Sequence, residues 1–521
     1  MKGKKLLSIL MAMSLLSALA GCAPKTPSTT GTTGDGKIDT SKFVELNFVA
    51  LGNKPTNGQL EKVRDEWNKY LKEKINASLD IKWVEWADYT TKYNLLLASG
   101  EPLDLINTAS DWLDLFPNAQ KGAFKELDDL LPKYAPQTWA NVTKENWEQT
   151  KLNGKIVTIP EDQYSQWVNH GFMYRGDWAK QFGITEPIKD WEGMGKYFQG
   201  IKDNKKGVIP WDLAGGGFSA FFGWVNAYTP EIGIDPIPLP CNGGAIVYGK
   251  SIDDPYTAVS PIFEDTFMNY AKTMKQWGDA GYWREDVLNY KGDGVATMKA
   301  GQSGTRQHHT QTYVGFYNEL EKNQPGSDLQ YYSFSDTSNN LVKIAITHGG
   351  TSVGANSKNP ERALMAYDLI RNDEKMYKLF NYGLEGVQYE VKDGKRVEPA
   401  GYNADRDGFY TDFWGGRNDK FEIPSATIYP KYQDLYKKLE AVAKPYPYGR
   451  FTFDKSPIEN EIAAIGDVVN KNLPAISWGK AGDPEKAVND FREQLKQAGF
   501  DKYMAEIQKQ LDAYKKLVEG K

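Results

Sequence analysis

The ordered part of the chain begins with a short stretch in which apolar and polar residues alternate. In residues 44–50, VELNFVA, the alternation has the period of a strand with one buried face. Residues 57–75 then place apolar side chains three and four positions apart, as in an amphipathic helix. Residues 78–86, SLDIKWVEW, return to the period of two. The pattern predicts a strand, a helix and a second strand.

The same rhythm continues along the chain. A short predicted helix from residue 88 stops at Gly100 and Pro102 and leads into a brief strand at 103–106. Further strands are predicted in KIVTIP and FMYR, and a helix in DWEGMGKYFQGIKDN. This alternation is typical of α/β lobes with parallel or mixed sheets. A chain of 521 residues is long enough for two or more such domains.

The N-terminus carries a pattern of a different kind. Three lysines precede an apolar run at residues 6–20, which is shorter than the roughly 20 residues of a membrane-spanning helix and indicates an export signal. Residues 19–22, LAGC, resemble the lipobox of bacterial lipoproteins, which implies cleavage before Cys22 and lipidation of Cys22. An ordinary secretory signal that includes a cysteine is the alternative. We therefore predict a signal peptide at 1–21 and, from the Thr, Gly, Pro and Ser of residues 22–42, a flexible tether.

Composition narrows the possible partners. The formal net charge of −5 argues against a nucleic-acid partner. Once Cys22 is lipidated, Cys241 is the only cysteine left, which excludes an intramolecular disulfide. Aromatic residues make up 13% of the chain, with 15 Trp and 30 Tyr. This excess over the needs of a core suggests binding surfaces as well.

Residues 244–251, GAIVYGKS, fit the spacing of a phosphate-binding loop. Such a loop needs a strand before it and a helix after it, so that backbone amides point at the phosphates. Here Pro255 and Pro261 stand where the helix would run, and the segment itself is rich in strand-forming residues. We predict one arm of a β-hairpin and no nucleotide site.

Residues 403–414, NADRDGFYTDFW, follow the start of a calcium-binding loop. The twelfth position is Trp414, where a bidentate Glu is required. An ordinary turn stabilised by Asn and Asp side chains is therefore favoured. A calcium ion remains the alternative if another segment supplies oxygen ligands.

Motifs for catalysis are weak. Residues 350–354, GTSVG, fit a nucleophile elbow around Ser352, but ANSKNP follows where a helix should start. We expect no catalytic residue, metal or cofactor. A pair of carboxylates for glycoside hydrolysis stays open, because such a pair meets only in three dimensions. No metal-binding spacing occurs among the four histidines, which are His170, His308, His309 and His348.

Several stretches together resemble the family 1 extracellular solute-binding proteins, the lipoprotein receptors of ABC importers. A further run, FTFDKSPIENEIAAI with the helices after it, resembles the C-terminal extension of large members known as LipO-like lipoproteins. In chain order, the stretches that carry the resemblance are LLLASGEPLDLI, LDDLLPKYAP, NGKIVTIP, FMYRGDWAKQFGITEP, ATMKAGQSG, GANSKNPERALMAYDLI and LFNYGLEGVQYEV.

The resemblance implies an α/β, two-lobed periplasmic-binding-protein-like fold of type II with hinge crossovers. Residues 43–162 and 345–391 would form lobe 1, and residues 168–342 and 425–521 would form lobe 2. It also implies a monomeric receptor, lipid-anchored on the extracytoplasmic face of the cell membrane, that delivers a carbohydrate to ABC permease subunits. The alternatives are a receptor for a peptide or other non-sugar solute, a surface glycosidase or lyase, and a surface polysaccharide adhesin that binds chains without closing.

A sugar offers hydroxyl groups to polar side chains and apolar C–H faces to aromatic rings. We therefore expect ligand contacts where Trp lies beside Asp, Asn, Thr or Arg in loops; for residues 108–112 the expectation rests on the resemblance of DLINTASDW. Core packing is the alternative for Trp211, Trp224 and Trp414, and helix capping for Asp111. The candidates are Asn53, Thr108, Asp111, Trp112, Trp167, Asn169, Trp211, Trp224, Arg306, Trp414 and Arg417.

Overall fold

The computed structural model describes most of the chain after the predicted leader and tether. The predicted lipidation site, Cys22, lies outside the described residues, as do the site candidates Asp111, Trp167 and Asn169. The described residues are 38–86, 89–110, 112–163, 170–214, 223–229, 239, 245–292, 294–338, 341–427 and 429–520.

Strands and helices alternate through most of the described residues. The strands, numbered β1 to β13 in chain order, are Val44–Leu51, Ala77–Val84, Leu105–Thr108, Lys151–Leu152, Lys155–Ile156, His170–Arg175, Tyr248–Ser251, Asp254–Val259, Thr305–His309, Leu329–Ser333, Gly350–Ser352, Glu390–Lys392 and Lys395–Val397. The α-helices, numbered α1 to α19, are Gln59–Ile75, Tyr89–Ala98, Leu115–Gln120, Leu131–Tyr134, Pro136–Asn141, Lys144–Gln149, Gly176–Gln181, Trp191–Asn204, Asp265–Asp279, Gly294–Lys299, Thr310–Asn323, Phe334–Ser338, Pro360–Asn372, Glu374–Tyr382, Ala404–Asp407, Tyr432–Val442, Glu459–Ser477, Pro484–Gln497 and Phe500–Val518.

The first lobe is built on a mixed sheet with the strand order β11-β3-β1-β2. Strand β1 is parallel to β2 and β3, and β11 is antiparallel to β3. This confirms the strand, helix and strand predicted from the first pattern. Helix α1 turns Val63, Trp67 and Leu71 into the core, as its spacing predicts, and the Trp67 indole donates a hydrogen bond to the Leu79 carbonyl at 3.0 Å.

The second lobe contains a sheet whose described strands are ordered β10-β6-β9 and are antiparallel. Sequence alternation alone predicted parallel or mixed pairing, so this sheet differs from the expectation. Strands β9 and β10 flank β6, run in the same direction and are joined through helix α11. The helix crosses over β6 between them. Strand and helix therefore still alternate along the chain, although each pair of neighbouring strands is antiparallel.

Two large apolar cores lie apart in the molecule. One gathers residues of β1, β2, α1 and α13, and the other gathers β6, α8, α9 and the C-terminal helices α17 to α19. Phe413, in a segment that the sequence left unassigned between 391 and 425, packs into the first core. The lobe boundaries drawn from the sequence stay predictions.

The chain passes between the two cores three times. It leaves the first core after Ile159, returns before Val353 and leaves again after Phe413. The first two crossings are hydrogen-bonded to each other, because the Glu161 amide donates to the Ile346 carbonyl at 2.9 Å. The third is tied to the second, because the Lys343 amide donates to the Lys444 carbonyl at 2.8 Å. These crossings join the lobes.

The segments that resembled a phosphate-binding loop, a nucleophile elbow and a calcium-binding loop form ordinary strands and a short helix. In residues 244–251, the described part ends in strand β7, which pairs with β8 as the predicted β-hairpin. Ser352 is fully buried in β11, and helix α13 starts only at Pro360. In residues 403–414, the Asn403 side chain caps the short helix α15 by accepting from the Arg406 amide at 3.0 Å.

Metal and membrane features were also sought within the described ranges. There, no group of three or more His, Cys, Asp or Glu side chains is arranged to hold a metal ion. Within the same ranges, no helix combines the length and apolar character needed to cross a membrane.

Gly171 lies in strand β6, opposite Ser333 of strand β10. A Cβ atom at Gly171 would come within 2.2 Å of the Tyr332 carbonyl oxygen, so we expect Gly171→Ala to lower the free energy of unfolding by about 1–3 kcal/mol. The matched control is Gly315→Ala at an exposed position of helix α11, where a Cβ meets nothing within 4 Å and a gain of about 0.5–1 kcal/mol is expected. Urea unfolding of both variants measures the difference, and equal effects would contradict the packing argument.

Candidate functional site

A cavity of about 350 Å³ lies between the two lobes. The first lobe contributes aromatic and small residues, the crossing segments form its floor, and helix α11 with strand β9 contributes the opposite wall. Its volume is at the lower end of the range for small-molecule sites. The lining residues are Trp86, Trp112, Glu161, Asp162, His309, Gln311, Lys343, Ile344, Ala345, Ile346, His348, Gly349 and Trp414.

Three tryptophan side chains form the first-lobe wall of this cavity, and we call them the tryptophan cluster: Trp86, Trp112 and Trp414. The rings of Trp86 and Trp414 are stacked, with centroids 5.6 Å apart and planes inclined by 16°. Trp112 lies 5.5 Å from Trp414 and 6.0 Å from Trp86. Trp86 lines the cavity and remains 42% exposed, so part of its indole ring is accessible to an occupant.

Strand ends and one loop bring the tryptophan cluster together. Trp86 follows the end of β2, and Trp112 follows the end of β3. Because β1, β2 and β3 are parallel, their carboxyl ends meet at one edge of the sheet, which is the usual ligand-binding edge of α/β folds. The Trp112 indole donates to the His348 carbonyl at 3.2 Å, which fixes its ring against the second crossing. Trp414 arrives from the loop after α15.

The floor of the cavity carries two acidic side chains with different partners. Asp162 pairs with the fully buried Arg371 at 2.5 Å. Glu161 accepts hydrogen bonds from the backbone amides of Gln163 at 3.1 Å and Arg417 at 3.0 Å. Burial raises the pKa of Glu161 to about 7, so this carboxyl group can offer either a proton or a lone pair near neutral pH.

The opposite wall is polar. On it, the buried side-chain nitrogen of Gln311 has no hydrogen-bond partner within the described part of the chain. Beside it, on the second crossing, Lys343 is held by an ion pair with Glu440 at 2.7 Å. His309 caps helix α11, its Nδ1 accepting from the Thr312 amide at 3.2 Å. One wall therefore offers apolar ring faces and the other offers hydrogen-bonding groups.

Three of the four histidines meet behind this wall, which no spacing in the sequence indicated. The ring centroids of His308 and His309 are 4.3 Å apart, and His170 lies 5.5 Å from His308. The pairing of β6 with β9 brings them together, with His170 opposite His309. Burial lowers the pKa of His170 to about 3, of His308 to about 2 and of His309 to about 4. All three imidazoles are therefore neutral in the folded protein near pH 7.

Known proteins of the same architecture were found by sequence and by structure. Residues 447–516 match the model of a domain of unknown function, DUF3502. A carbohydrate ABC transporter substrate-binding protein of Streptococcus pneumoniae is 24% identical over 476 residues, covering 90% of this chain and 91% of that protein. Lipoprotein LipO of Bacillus subtilis is 21% identical over 350 residues, covering 63% of this chain and 64% of LipO.

The crystal structure of the N-glycan transport solute-binding protein NgtS from S. pneumoniae superposes with a TM-score of 0.73 at 22% identity, covering 91% of this chain and 99% of NgtS. The fold is that of a two-lobed solute-binding protein. NgtS has also been crystallised with Man1GlcNAc and with Man5GlcNAc, and these complexes match with TM-scores of 0.71 and 0.67. The resemblance drawn from the sequence motifs is confirmed at the level of fold and overall similarity.

Two of the predicted ligand-binding residues, Trp112 and Trp414, line the cavity of this solute-binding fold. Two more, Trp211 and Arg306, line a separate cavity of about 220 Å³ in the second lobe, although Trp211 is 1% exposed. Arg417 lines another cavity, of about 550 Å³. As ligand contacts, all of these residues stay predictions.

The other described candidates lie outside these cavities. Thr108 is buried and shares hydrogen bonds with the hydroxyl groups of Thr158 and Ser352. Trp224 lies entirely within the second core, where its indole donates to the Ala245 carbonyl at 2.8 Å. Asn53 is exposed, and its carbonyl accepts from the Tyr410 hydroxyl at 2.7 Å. These three remain untested as ligand contacts.

Several residues of the cavity were not singled out from the sequence. A usable signal existed for Trp86, because it follows a predicted strand as Trp112 does. For Glu161, Lys343, Gln311 and His309 the sequence carries no such signal, because they reach the cavity through crossings and a strand pairing between distant segments.

We expect the three neutral imidazoles to make the fold sensitive to acid. In the unfolded chain a histidine has a pKa near 6.5, so below about pH 6.5 the unfolded state binds more protons and stability falls with pH. Glu161, with its raised pKa, and Asp412, whose pKa burial raises to about 6, work in the opposite direction over this range, but as two groups against three. Each imidazole contributes up to about 1.4 kcal/mol per pH unit.

The measurement is the urea midpoint of the protein between pH 7.5 and 5, compared with that of His308→Asn. Stability should fall less steeply with pH in the variant, by the contribution of one titrating group, because Asn does not bind a proton in this range. If the two slopes were equal, the contribution of the buried imidazole would be contradicted.

Proposed function

We propose that the protein is the lipid-anchored solute-binding component of an ABC import system, and that it captures an oligosaccharide between its lobes and delivers it intact to the permease. The observation that carries this proposal is the tryptophan cluster on the cavity wall. The relatives support it, since one is a carbohydrate ABC transporter substrate-binding protein and NgtS binds N-glycan fragments.

The two walls suit the two kinds of surface that a sugar has. An aromatic ring stacked on the C–H face of a sugar adds about 0.5–1.5 kcal/mol beyond burial, and Trp86 presents such a face. Sugar hydroxyl groups both donate and accept, which matches Glu161, His309 and Gln311 across the cavity. A peptide or other non-sugar solute remains the alternative, because the scaffold alone does not set the ligand.

The position of the cavity suggests how binding is transmitted. A solute that touches the tryptophan cluster and helix α11 contacts both lobes at once. Such contacts favour the closed arrangement only by the amount by which they are stronger there. We propose that the permease recognises the closed form. Anchoring through Cys22 and a monomeric state belong to the same proposal.

A glycosidase or lyase is the rival from another class. Glu161, with its pKa raised to about 7, has the property of a general acid. A glycosidase needs a second available carboxylate, and the neighbouring Asp162 is held by Arg371. We therefore propose that no chemistry takes place. Oligosaccharide products accumulating during incubation with the purified protein would refute this.

Binding is tested with a thermal-shift panel of mono-, di- and oligosaccharides, including Man1GlcNAc and Man5GlcNAc, alongside short peptides. An oligosaccharide should raise the melting temperature, because a ligand that binds only the folded state stabilises it. Stabilisation by peptides alone would favour the non-sugar alternative.

The site is tested by Trp86→Ala and Trp414→Ala. Each should weaken binding of the best glycan about tenfold or more, which is about 1.4 kcal/mol, because a stacking face is lost. The matched control is Trp139→Ala, since Trp139 is 37% exposed and stacks on Trp147 outside the cavity. Calorimetric titration gives the affinities, and an unchanged affinity in both cluster variants would reject this site.

A further inference from the structure

A second cavity adjoins the tryptophan-lined one. It measures about 550 Å³, and three of the segments that line the first cavity also line this one. In the first crossing, Glu161 lines the first cavity and Gln163 lines the second. In the loop that contains Trp414, Arg417 lines the second cavity. Gln311 lines both cavities. The two spaces are therefore neighbours that share Gln311 in their lining.

Gln311 marks the junction of the two cavities. It is the second residue of helix α11, so its backbone position is set by the helix. Among the described residues, its side-chain nitrogen is buried and has no hydrogen-bond partner. Because Gln311 lines both cavities, a rotation of its side chain would bring this donor to a ligand hydroxyl group at the junction.

The charged side chains that line the second cavity have partners within the protein. Arg417 pairs with Asp419 at 2.6 Å, and its guanidinium lies 3.7 Å from Glu422. Arg396 donates to the Ile423 carbonyl at 2.9 Å and lies 4.0 Å over the Tyr382 ring. Of the residues that the structure describes, two cations and two anions thus line the space, which favours no net charge on an occupant.

The second cavity also carries apolar surface. Tyr432 and Tyr436, on helix α16, have ring centroids 6.0 Å apart, and Ile423 and Pro424 lie on the same lining. Aromatic rings beside ion-paired polar groups offer C–H stacking and hydroxyl pairing together. The second cavity therefore combines aromatic and hydrogen-bonding groups as the first does, but its aromatic rings are those of tyrosines.

We propose that the second cavity is a further subsite for neutral sugar units, continuous with the first through Gln311, so that the solute is an uncharged oligosaccharide whose first units lie on the tryptophan cluster. This inference rests on the proposed function and deepens it. A short glycan would fill the first cavity only, and a longer one would extend past Gln311 toward Tyr432.

The test is calorimetric titration with Man1GlcNAc, Man5GlcNAc and an oligomer of uronic acid of matched length. The wild-type protein should bind Man5GlcNAc at least tenfold more tightly than Man1GlcNAc, and the acidic oligomer at least tenfold more weakly than Man5GlcNAc. Tyr432→Ala and Gln311→Ala should each reduce the affinity for Man5GlcNAc about fivefold. Only Gln311→Ala should affect Man1GlcNAc, because Gln311 touches both cavities.

The matched control is Tyr402→Ala, because Tyr402 is half-buried and lies outside both cavities; it should leave both affinities unchanged. Equal affinities for the two neutral glycans, or a Tyr432→Ala effect that is the same for both, would overturn the subsite while leaving the proposed function standing. Tighter binding of the acidic oligomer would overturn the assignment to neutral sugars. If neither these glycans nor the thermal-shift panel gave any binding, the proposed function would fall and the subsite with it.

Discussion

Backbone groups that cross between two apolar cores need hydrogen-bond partners, and their pairing sets the geometry of the cleft. The Ile159 amide donates to the Thr351 carbonyl at 2.8 Å, and the Glu161 amide donates to the Ile346 carbonyl. The ion pair of Arg371 with Asp162 ties the first crossing to helix α13. Removing one partner of such a buried pair costs about 3–5 kcal/mol. The crossings are therefore a fixed floor on which both walls of the cavity are placed.

The two lobes contribute different kinds of chemical group to the cavity. Ring faces lie on the first lobe, at the carboxyl ends of parallel strands, and hydrogen-bonding groups lie on helix α11 of the second. In the function that we propose, a solute on the tryptophan cluster would gain its remaining partners only when the second lobe is near. This division would give the ligand a stronger interaction with the closed arrangement, which is the requirement for a ligand to shift a conformational equilibrium.

Sequence reasoning located part of the candidate site. Trp112 and Trp414 were found because aromatic side chains beside polar ones in loops indicate a sugar surface, and both line the cavity. The same rule also selected Trp224, which lies fully inside the second core. Composition and spacing do not separate a ring that faces a cleft from one that faces a core, because both environments favour a large aromatic side chain. Trp86 could have been found from its position after a strand.

The sequence by itself determined the local elements and the class of fold. Periodicity of two and of three to four specified β1, α1 and β2, because a strand and a helix each turn one face to the core. The prolines after residues 244–251 excluded a phosphate-binding loop, because a proline ring is incompatible with a helix interior. The tertiary structure alone decided which side chains share a space. Glu161, Gln311, Lys343 and the three clustered imidazoles meet because distant segments pair, and no local pattern encodes a contact between residues far apart in the chain.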